Sequence, residues 1–225
     1  LAEISGIYVP SLHKEGKTQI QKRVTQDINR IEYPTEPIIP LLDIVHDRAV
    51  VEVMRGCPRK CRFCQPGFVT KPVRQMGANR AVELASKLLE NTGYDELTLM
   101  SLSTSDHKSA KKMTEELAEK YKDQNISISL PSMRADTFAI ELAKSVQAVR
   151  PSGVTIAPEA GTQRMRNVID KELTEEEIMR AAARAFEYGA NTLKVYFIIG
   201  LPTEIDEDLQ GIVDLVEKIL AEDAA

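Results

Sequence analysis

The sequence predicts an α/β fold, a partial (β/α) barrel of parallel strands with a single outer layer of helices. Three observations predict it. Short apolar runs at 49–54, 96–102, 126–130, 153–157 and 192–200 alternate with stretches of helical periodicity. Successive β–α units imply parallel strands joined by right-handed crossovers. Read at period two, most of the runs carry one apolar and one polar face. An open sheet covered by helices on both sides would carry two apolar faces instead.

In chain order, Val51 and Val53 oppose Glu52 on the first strand. On the second, Leu97 and Leu99 oppose Thr98 and Met100, which leaves its polar face undecided. Ile126 and Ile128 oppose Ser127 and Ser129 on the third. Val154 and Ile156 oppose Thr155 and Glu159 on the fourth. On the fifth, Leu193, Val195, Phe197 and Ile199 oppose Lys194 and Tyr196. The helices read from Ala81, Leu84, Ala85 and Leu88; from Ala110, Met113, Leu117 and Tyr121; from Phe138, Leu142 and Val146; from Ile178, Ala181, Ala185 and Phe186; and from Leu209, Ile212, Val213, Val216 and Leu220. Thr174 with Glu177 forms a capping-box signature, and Asp106 is placed to cap the second helix.

Residues 1–48 read as a linker or flank, punctuated by Pro10, Pro34, Pro37 and Pro40, and residues 49–225 as the core. The chain opens on Leu1 rather than Met and stops after the fifth helical pattern, so the barrel is expected to lack its last strand and the chain to be a piece of a longer protein. Composition excludes several classes. No apolar run approaches the ~20 residues of a membrane span, and no secretory leader is visible. The net charge of −5 does not support nucleic-acid binding. The three cysteines, all between 57 and 64, are a poor disulfide framework and point to a reducing cytoplasm.

Those cysteines carry the chemistry. Cys57, Cys61 and Cys64 have the spacing C-x3-C-x2-C on the loop after the first strand, the edge where parallel α/β folds build their sites. Arg59, Lys60 and Arg62 would lower the cost of gathering thiolates. A zinc site would need a fourth ligand, and none of His13, His46 and His107 lies at finger-like spacing. Inert buried thiols would not explain three cysteines on a basic loop. An iron–sulfur cluster held by three cysteines, one iron left open, accounts for all of them.

This motif, with the aromatic Phe63 before the last cysteine, resembles the radical S-adenosylmethionine superfamily across residues 49–225, read as a C-terminally incomplete radical SAM core. The resemblance implies a 4Fe–4S cluster whose open iron chelates S-adenosylmethionine, and an external electron donor. Reductive cleavage to methionine and a 5′-deoxyadenosyl radical then acts on an unknown substrate. The finer resemblance is to a branch with a cobalamin-binding-like domain upstream. It rests on Pro34-Thr-Glu-Pro37, His46-Asp-Arg-Ala49, Met54-Arg-Gly-Cys57, Cys64-Gln-Pro-Gly67, Ser101-Leu-Ser-Thr104, Ala157-Pro-Glu-Ala-Gly161 and Gly200-Leu-Pro-Thr-Glu204. The cobalamin motif Asp-x-His-x-x-Gly is not among these residues; such a domain would lie before Leu1 and would make the reaction a methyl or group transfer.

The resemblance also implies residue roles. Phe63 joins the cofactor site. Ser101, Ser103 and Thr104 replace the superfamily's Gly-Gly-Glu stretch for the methionine amine, with simple loop capping as the alternative. Ser129 and Arg134 fall to the ribose and the methionine carboxylate, against an Arg134–Asp136 surface pair. Glu159 would accept the ribose hydroxyls. Of Arg164 and Arg166, one would reach the cofactor and the other solvent. Ile198 and Gly200 would meet adenine through the backbone. Lys194 and Tyr196 would face substrate, or else pair with Glu52. A redox-sensing iron–sulfur protein without turnover, an RNA-modifying enzyme of the same superfamily and a zinc module are the competing readings.

Overall fold

A computed structural model describes residues 1–13, 16, 19–42, 44–131, 154–187 and 192–223. The chain divides into two units, Leu1–Ile31 and Glu32–Ala225, so residues 32–48 fall with the core and not with the flank. In the first unit a turn closes where the Val9 amide donates to His13 Nδ1 at 2.8 Å. Asp27 caps a 3-10 turn, Ile28–Arg30, by accepting from the Asn29 amide.

The second unit is built on parallel strands. Strand β1 (Ala49–Glu52) pairs in parallel with β4 (Glu96–Met100), which pairs in parallel with β5 (Ser127–Ser129). Farther along, β6 (Val154–Glu159) and β7 (Leu193–Phe197) form a second parallel pair, with an irregularity between Ile156 and Glu159. The first apolar run breaks at Val53. Its end, β2 (Met54–Arg55), turns to pair antiparallel with β3 (Arg74–Gln75), which closes the neck of the cysteine loop.

The helices lie where periodicity puts them. Helix α1 (Gln65–Val69) is a short turn in the cysteine loop. Helix α2 (Ala78–Thr92) buries Ala81, Leu84, Ala85 and Leu88, and left-handed Gly93 ends it by donating to the Leu89 carbonyl. Helix α3 (Ala110–Tyr121) buries Ala110, Met113, Leu117 and Tyr121. Helix α2 packs on β1 and α3. Val51, Leu97, Leu99 and Ile128 are buried, while Val50, Glu52, Thr98 and Met100 line a cavity on the sheet's other face. The undecided second strand thus turns Thr98 and Met100 inward. Among the described residues the helix contacts leave the cavity side of this sheet uncovered, as the alternation required, and the architecture is a partial (β/α) barrel.

Helix α4 (Gln163–Val168) follows β6, and α5 (Glu175–Glu187) begins on the predicted capping box: the Thr174 amide donates to Glu177, whose own amide donates back to Thr174 Oγ1. Helix α6 (Asp206–Asp223) differs from the reading. Its buried side chains are Asp208, Leu215 and Ile219, while Leu209, Val213 and Leu220 are exposed. The reason lies in residues the apolar pattern ignores. Gly211 meets Gly161 backbone to backbone, and Asp208 is bound by Thr162 and Arg164, which fixes the rotation of the helix. Leu215 and Ile219 then join Ile156, Ile178, Ala181 and Ala182 in one core, against which Leu193, Val195 and Phe197 pack. Asp106 also departs from its expected role. The second helix starts behind Ser109, without a side-chain cap.

On the β1 edge, the Tyr33 hydroxyl donates to the Val50 carbonyl at 2.9 Å and accepts from the Glu52 amide at 3.2 Å. The third predicted helix (Phe138, Leu142, Val146) lies outside the described residues. Among the described residues no helix is long and apolar enough to cross a membrane.

The Gly161 crossing yields a prediction. A Cβ there would stand 2.2 Å from the Ile212 amide nitrogen and 2.3 Å from the Gly211 carbonyl carbon, atoms with no side-chain freedom to yield. Gly161→Ala is expected to destabilise the protein by about 1–3 kcal/mol or more, read from urea unfolding; an unchanged midpoint would show that α6 does not dock this closely.

Candidate metal centre and adjoining cavity

The cysteine loop leaves β2 at Gly56, whose φ of +90° suits glycine; a Cβ there would come within 2.9 Å of the Thr70 carbonyl. Cys57 is buried, Cys61 and Cys64 are partly exposed, and none of the three is in a disulfide. The Cys64 amide donates to the Cys61 carbonyl at 3.0 Å, so the last two cysteines share one turn. Buried Gly67 lies beside Cys64; a Cβ there would make ordinary contact with its sulfur, at 3.7 Å. Phe63 is exposed between them.

The loop is clamped from two sides. Arg59 donates from Nε to Asp106 Oδ2 at 2.9 Å and from Nη2 to Oδ1 at 2.5 Å, and its Nη1 reaches Glu172 at 2.8 Å. The hydrogen bonds to Asp106, above all, raise the Arg59 pKa beyond its ordinary value. The Arg62 amide donates to the Ile169 carbonyl at 2.9 Å, and its guanidinium to the Val168 carbonyl at 2.6 Å. Arg59 and Arg62 therefore fasten the loop to its neighbours, where the sequence had them offset thiolate charge.

The donor set can be judged against the group it would hold. Among the described residues no three His, Cys, Asp or Glu side chains could hold one metal ion. Thiolates sharing one zinc ion must converge on it at about 2.3 Å each. Cluster ligands bind separate irons and stand farther apart. Three cysteines outside any disulfide on one clamped loop fit a multi-iron cluster.

The segment after β4 is a closed hydroxyl network. Ser101 donates to Thr104 Oγ1 (2.9 Å), Thr104 to the Pro131 carbonyl (2.8 Å), Ser103 to Asp106 (2.7 Å), and the Ser103 amide to Ser101 (3.2 Å). All three side chains are buried, so their hydroxyls brace the loop internally. Asp106 thereby joins this network to Arg59, a role that sequence reasoning missed and that no local signal announces across 47 positions. Beside it, buried His107 accepts from the Ser109 amide at Nδ1 and donates from Nε2 to the Met76 carbonyl, both at 3.0 Å. Burial, opposed by its backbone hydrogen bonds, keeps the imidazole neutral with a lowered pKa.

At the end of β6, Glu159 has a φ of +68° and pairs with Lys171 at 3.1 Å, both largely buried. Such strain in a non-glycine residue persists only where its surroundings enforce it. Both flanking arginines are held by protein groups. Arg164 is bound by Asp208 and donates to the Thr203 carbonyl at 2.9 Å. Arg166 is wholly buried and donates to the carbonyls of Leu173, Ala160 and Gly161 at 3.1, 3.0 and 2.9 Å. It shapes the β6–α4 turn. The Ile198 amide is taken by the Glu159 carbonyl and the Gly200 amide by Glu204 (2.6 Å), so neither amide is left for adenine. Ser129 sits opposite Thr98 in the ladder. Lys194 and Tyr196 are exposed on β7 and pair with each other, the ammonium 5.1 Å from the ring, while Glu52 is bound by Arg55. Arg134 lies outside the described residues.

A cavity of about 680 Å³ opens against the inner face of β1 and β4. Its lip is Gly56 and Thr70, at the root of the cysteine loop, and its far end is His46 and Arg48. Val50, Met100, Leu102 and Pro131 make its walls apolar. The volume suits a small organic ligand or a nucleoside.

Comparison with known proteins agrees with this geometry. The Radical SAM superfamily pattern matches residues 51–216. An uncharacterized protein of Methanocaldococcus jannaschii is 32% identical over 222 residues, covering 98% of this chain and 47% of its own length. A tRNA-2-methylthio-N(6)-dimethylallyladenosine synthase of Chlorobaculum tepidum is 26% identical over 183 residues, covering 76% and 40%. The chain thus spans about half or less of the curated relatives it matches. Among solved structures, the radical S-adenosylmethionine methyltransferase TsrM of Kitasatospora setae, with cobalamin and a [4Fe-4S] cluster bound, aligns with a TM-score of 0.62 at 18% identity, covering 76% of this chain and 34% of that one. The parallel core, the three-cysteine loop at its strand edge and the family match together define an enzyme class. The chain belongs to the radical SAM superfamily, whose enzymes use a 4Fe–4S cluster and S-adenosylmethionine.

Two predictions follow the geometry. Arg59→Met keeps all three thiols but frees the loop; iron is expected to be held about 10- to 100-fold more weakly, measured by competition with a chelator, and Asp106→Asn should give a similar loss. The His107 pKa lies below its ordinary 6.5, so the unfolded chain takes up a proton that the folded one refuses. Stability is then full above about pH 6.5 and falls as pH drops below it. The melting temperature of the wild type should fall between pH 7 and pH 5.5, and His107→Gln should remove that part of the slope.

Proposed function

We propose that this protein is a radical SAM enzyme of the cobalamin-assisted methyl- or group-transfer kind. The carrying observation is the loop of three cysteines outside any disulfide, clamped by Arg59 and Arg62, at the lip of an apolar-walled cavity. Cys57, Cys61 and Cys64 would each hold one iron. When bound, the cluster supplies the electron that cleaves S-adenosylmethionine to methionine and a 5′-deoxyadenosyl radical. The chain's own part is to seat the reactants and exclude water, which the apolar walls of the cavity do. Ser129 and Arg134 keep their assignment to the ribose and the methionine carboxylate, and Glu159, steadied by Lys171, to the ribose hydroxyls. Cobalamin would be held by a part of the protein outside these residues, and the fold likeness to TsrM supports methyl transfer as the reaction. An external donor in a reducing compartment would supply electrons.

A second reading, RNA modification, is favoured by the likeness to the tRNA methylthiolating enzyme of Chlorobaculum tepidum. The net charge of −5 and the absence of any cysteine outside the loop in this sequence weigh against it.

The test is anaerobic reconstitution with iron and sulfide, then S-adenosylmethionine with reductant. The intact chain should give four irons per cluster and form 5′-deoxyadenosine, and Cys57→Ala, Cys61→Ala and Cys64→Ala should each lose the brown chromophore and the product. Persistence of the chromophore in all three variants would end this reading. A deuterated methyl group that reaches the substrate without added sulfur, and only when cobalamin is present, distinguishes methyl transfer from RNA methylthiolation.

A further inference from the structure

The cysteine loop is a basic island on an acidic chain. Between Met54 and Gly77 the sequence holds six basic residues (Arg55, Arg59, Lys60, Arg62, Lys71 and Arg74) and no acidic one, while the whole chain carries −5. Two of the six are neutralised: Arg55 by Glu52, and Arg59 by Asp106 and Glu172. Lys60 and Arg62 stay exposed, and Lys71 partly so. The same loop shows solvent two large apolar side chains, Phe68 at 51% and Val69 at 55% exposure.

These residues are neighbours in space. Helix α1 packs against the loop's opening turn: a Cβ on Gly67 would stand 3.5 Å from the Arg59 carbonyl oxygen and 3.7 Å from Cys64 Sγ. Lys60 follows that carbonyl, and Phe68 follows Gly67. The Lys71 ammonium lies 5.3 Å from the centre of the Phe68 ring, within cation–π reach. An apolar spot with a cation on either side in sequence therefore lies within one residue of the contact with the Cys64 sulfur. None of Lys60, Phe68, Val69 and Lys71 is among the residues lining the cavity, whose lip is Gly56 and Thr70. Proteins that exchange electrons meet through small interfaces, with an apolar spot for contact and charge for steering.

We propose that Lys60, Phe68, Val69 and Lys71 form the docking surface for the electron donor, an acidic protein that carries one electron at a time. The proposal rests on the radical reading above, in which an outside electron is needed, and names the partner that brings it. The reduced carrier loses one electron and the bound cluster gains it; no bond forms or breaks at the interface and no proton moves. Carboxylates around the carrier's own redox group meet Lys60 and Lys71, and its apolar rim covers Phe68 and Val69. The field of the basic island steers an acidic partner to this loop and away from the acidic remainder of the surface. Because these side chains lie off the cavity, the carrier can dock while the reactants are seated.

The test reads binding, not turnover. Dye-labelled plant-type ferredoxin, an acidic carrier, is titrated anaerobically with the intact, cluster-loaded protein without S-adenosylmethionine, and its anisotropy is followed. Ferredoxin should bind at low ionic strength and weaken about tenfold between about 0.05 and 0.3 M salt, and cytochrome c, a basic carrier, should not bind. Lys71→Glu and Phe68→Ser should each weaken ferredoxin about tenfold. Both variants should keep their iron and their 5′-deoxyadenosine formation with dithionite, a small reductant that needs no docking surface. Product from dithionite without ferredoxin binding is failure of this proposal alone; ferredoxin binding without product from dithionite is failure of the radical reading alone. The proposal is overturned if ferredoxin does not bind the wild type, if cytochrome c binds as tightly, if neither variant weakens ferredoxin, or if polyuridylate binds more tightly than ferredoxin, which would make the island a contact for RNA.

Discussion

The contact on which the site depends is the ion pair between Arg59 and Asp106, extended by Glu172. A loop with three cysteines has no reason to stay in one shape. Here the guanidinium fork draws the loop onto the segment after β4, and Glu172 ties it to the segment between α4 and α5. Asp106 is itself oriented by Ser103, and through Ser101 and Thr104 the network reaches Pro131 beyond β5. Partial burial makes the pair worth more than an exposed bridge, and the fork fixes direction as well as distance. The ends of β4 and β5 and the segment between α4 and α5 are thereby held to the geometry of the metal loop.

The second constraint is one-sided packing. Helix α2 packs on β1 and helix α3 on β5, and the cavity side of the sheet keeps Glu52, Thr98 and Met100. A sheet packed this way must do something with its inner face. In this molecule the face becomes a cavity with apolar walls and an ion pair at each end.

Much of the fold was legible because it is written in local periods. Alternation along the strands named the inward residues, Ala81 through Leu88 named the core face of α2, and Thr174 with Glu177 named the start of α5. Reading failed where an apolar pattern had two solutions. Helix α6 carries Leu209, Val213 and Leu220 on one stripe and Leu215 and Ile219 on another; Gly211 and Asp208, which carry no hydrophobic signal, chose between them. The site was legible at its cysteines and less so around them. Arg166 sits next to a conspicuous glycine turn, yet it serves three backbone carbonyls inside the core. Asp106 looked like a helix cap because its real partner is far away in sequence. Motif spacing reports donors, and it is silent on the long-range ties that aim them.

The phenol at position 33 has a consequence for how this molecule meets others. A hydroxyl that gives its hydrogen to Val50 and takes one from Glu52 stands in for the neighbour that an outermost strand otherwise lacks. A bare ribbon of backbone dipoles is an invitation to fibril growth and to stray pairing between copies. One aromatic ring, supplied from just upstream, withdraws that invitation along β1.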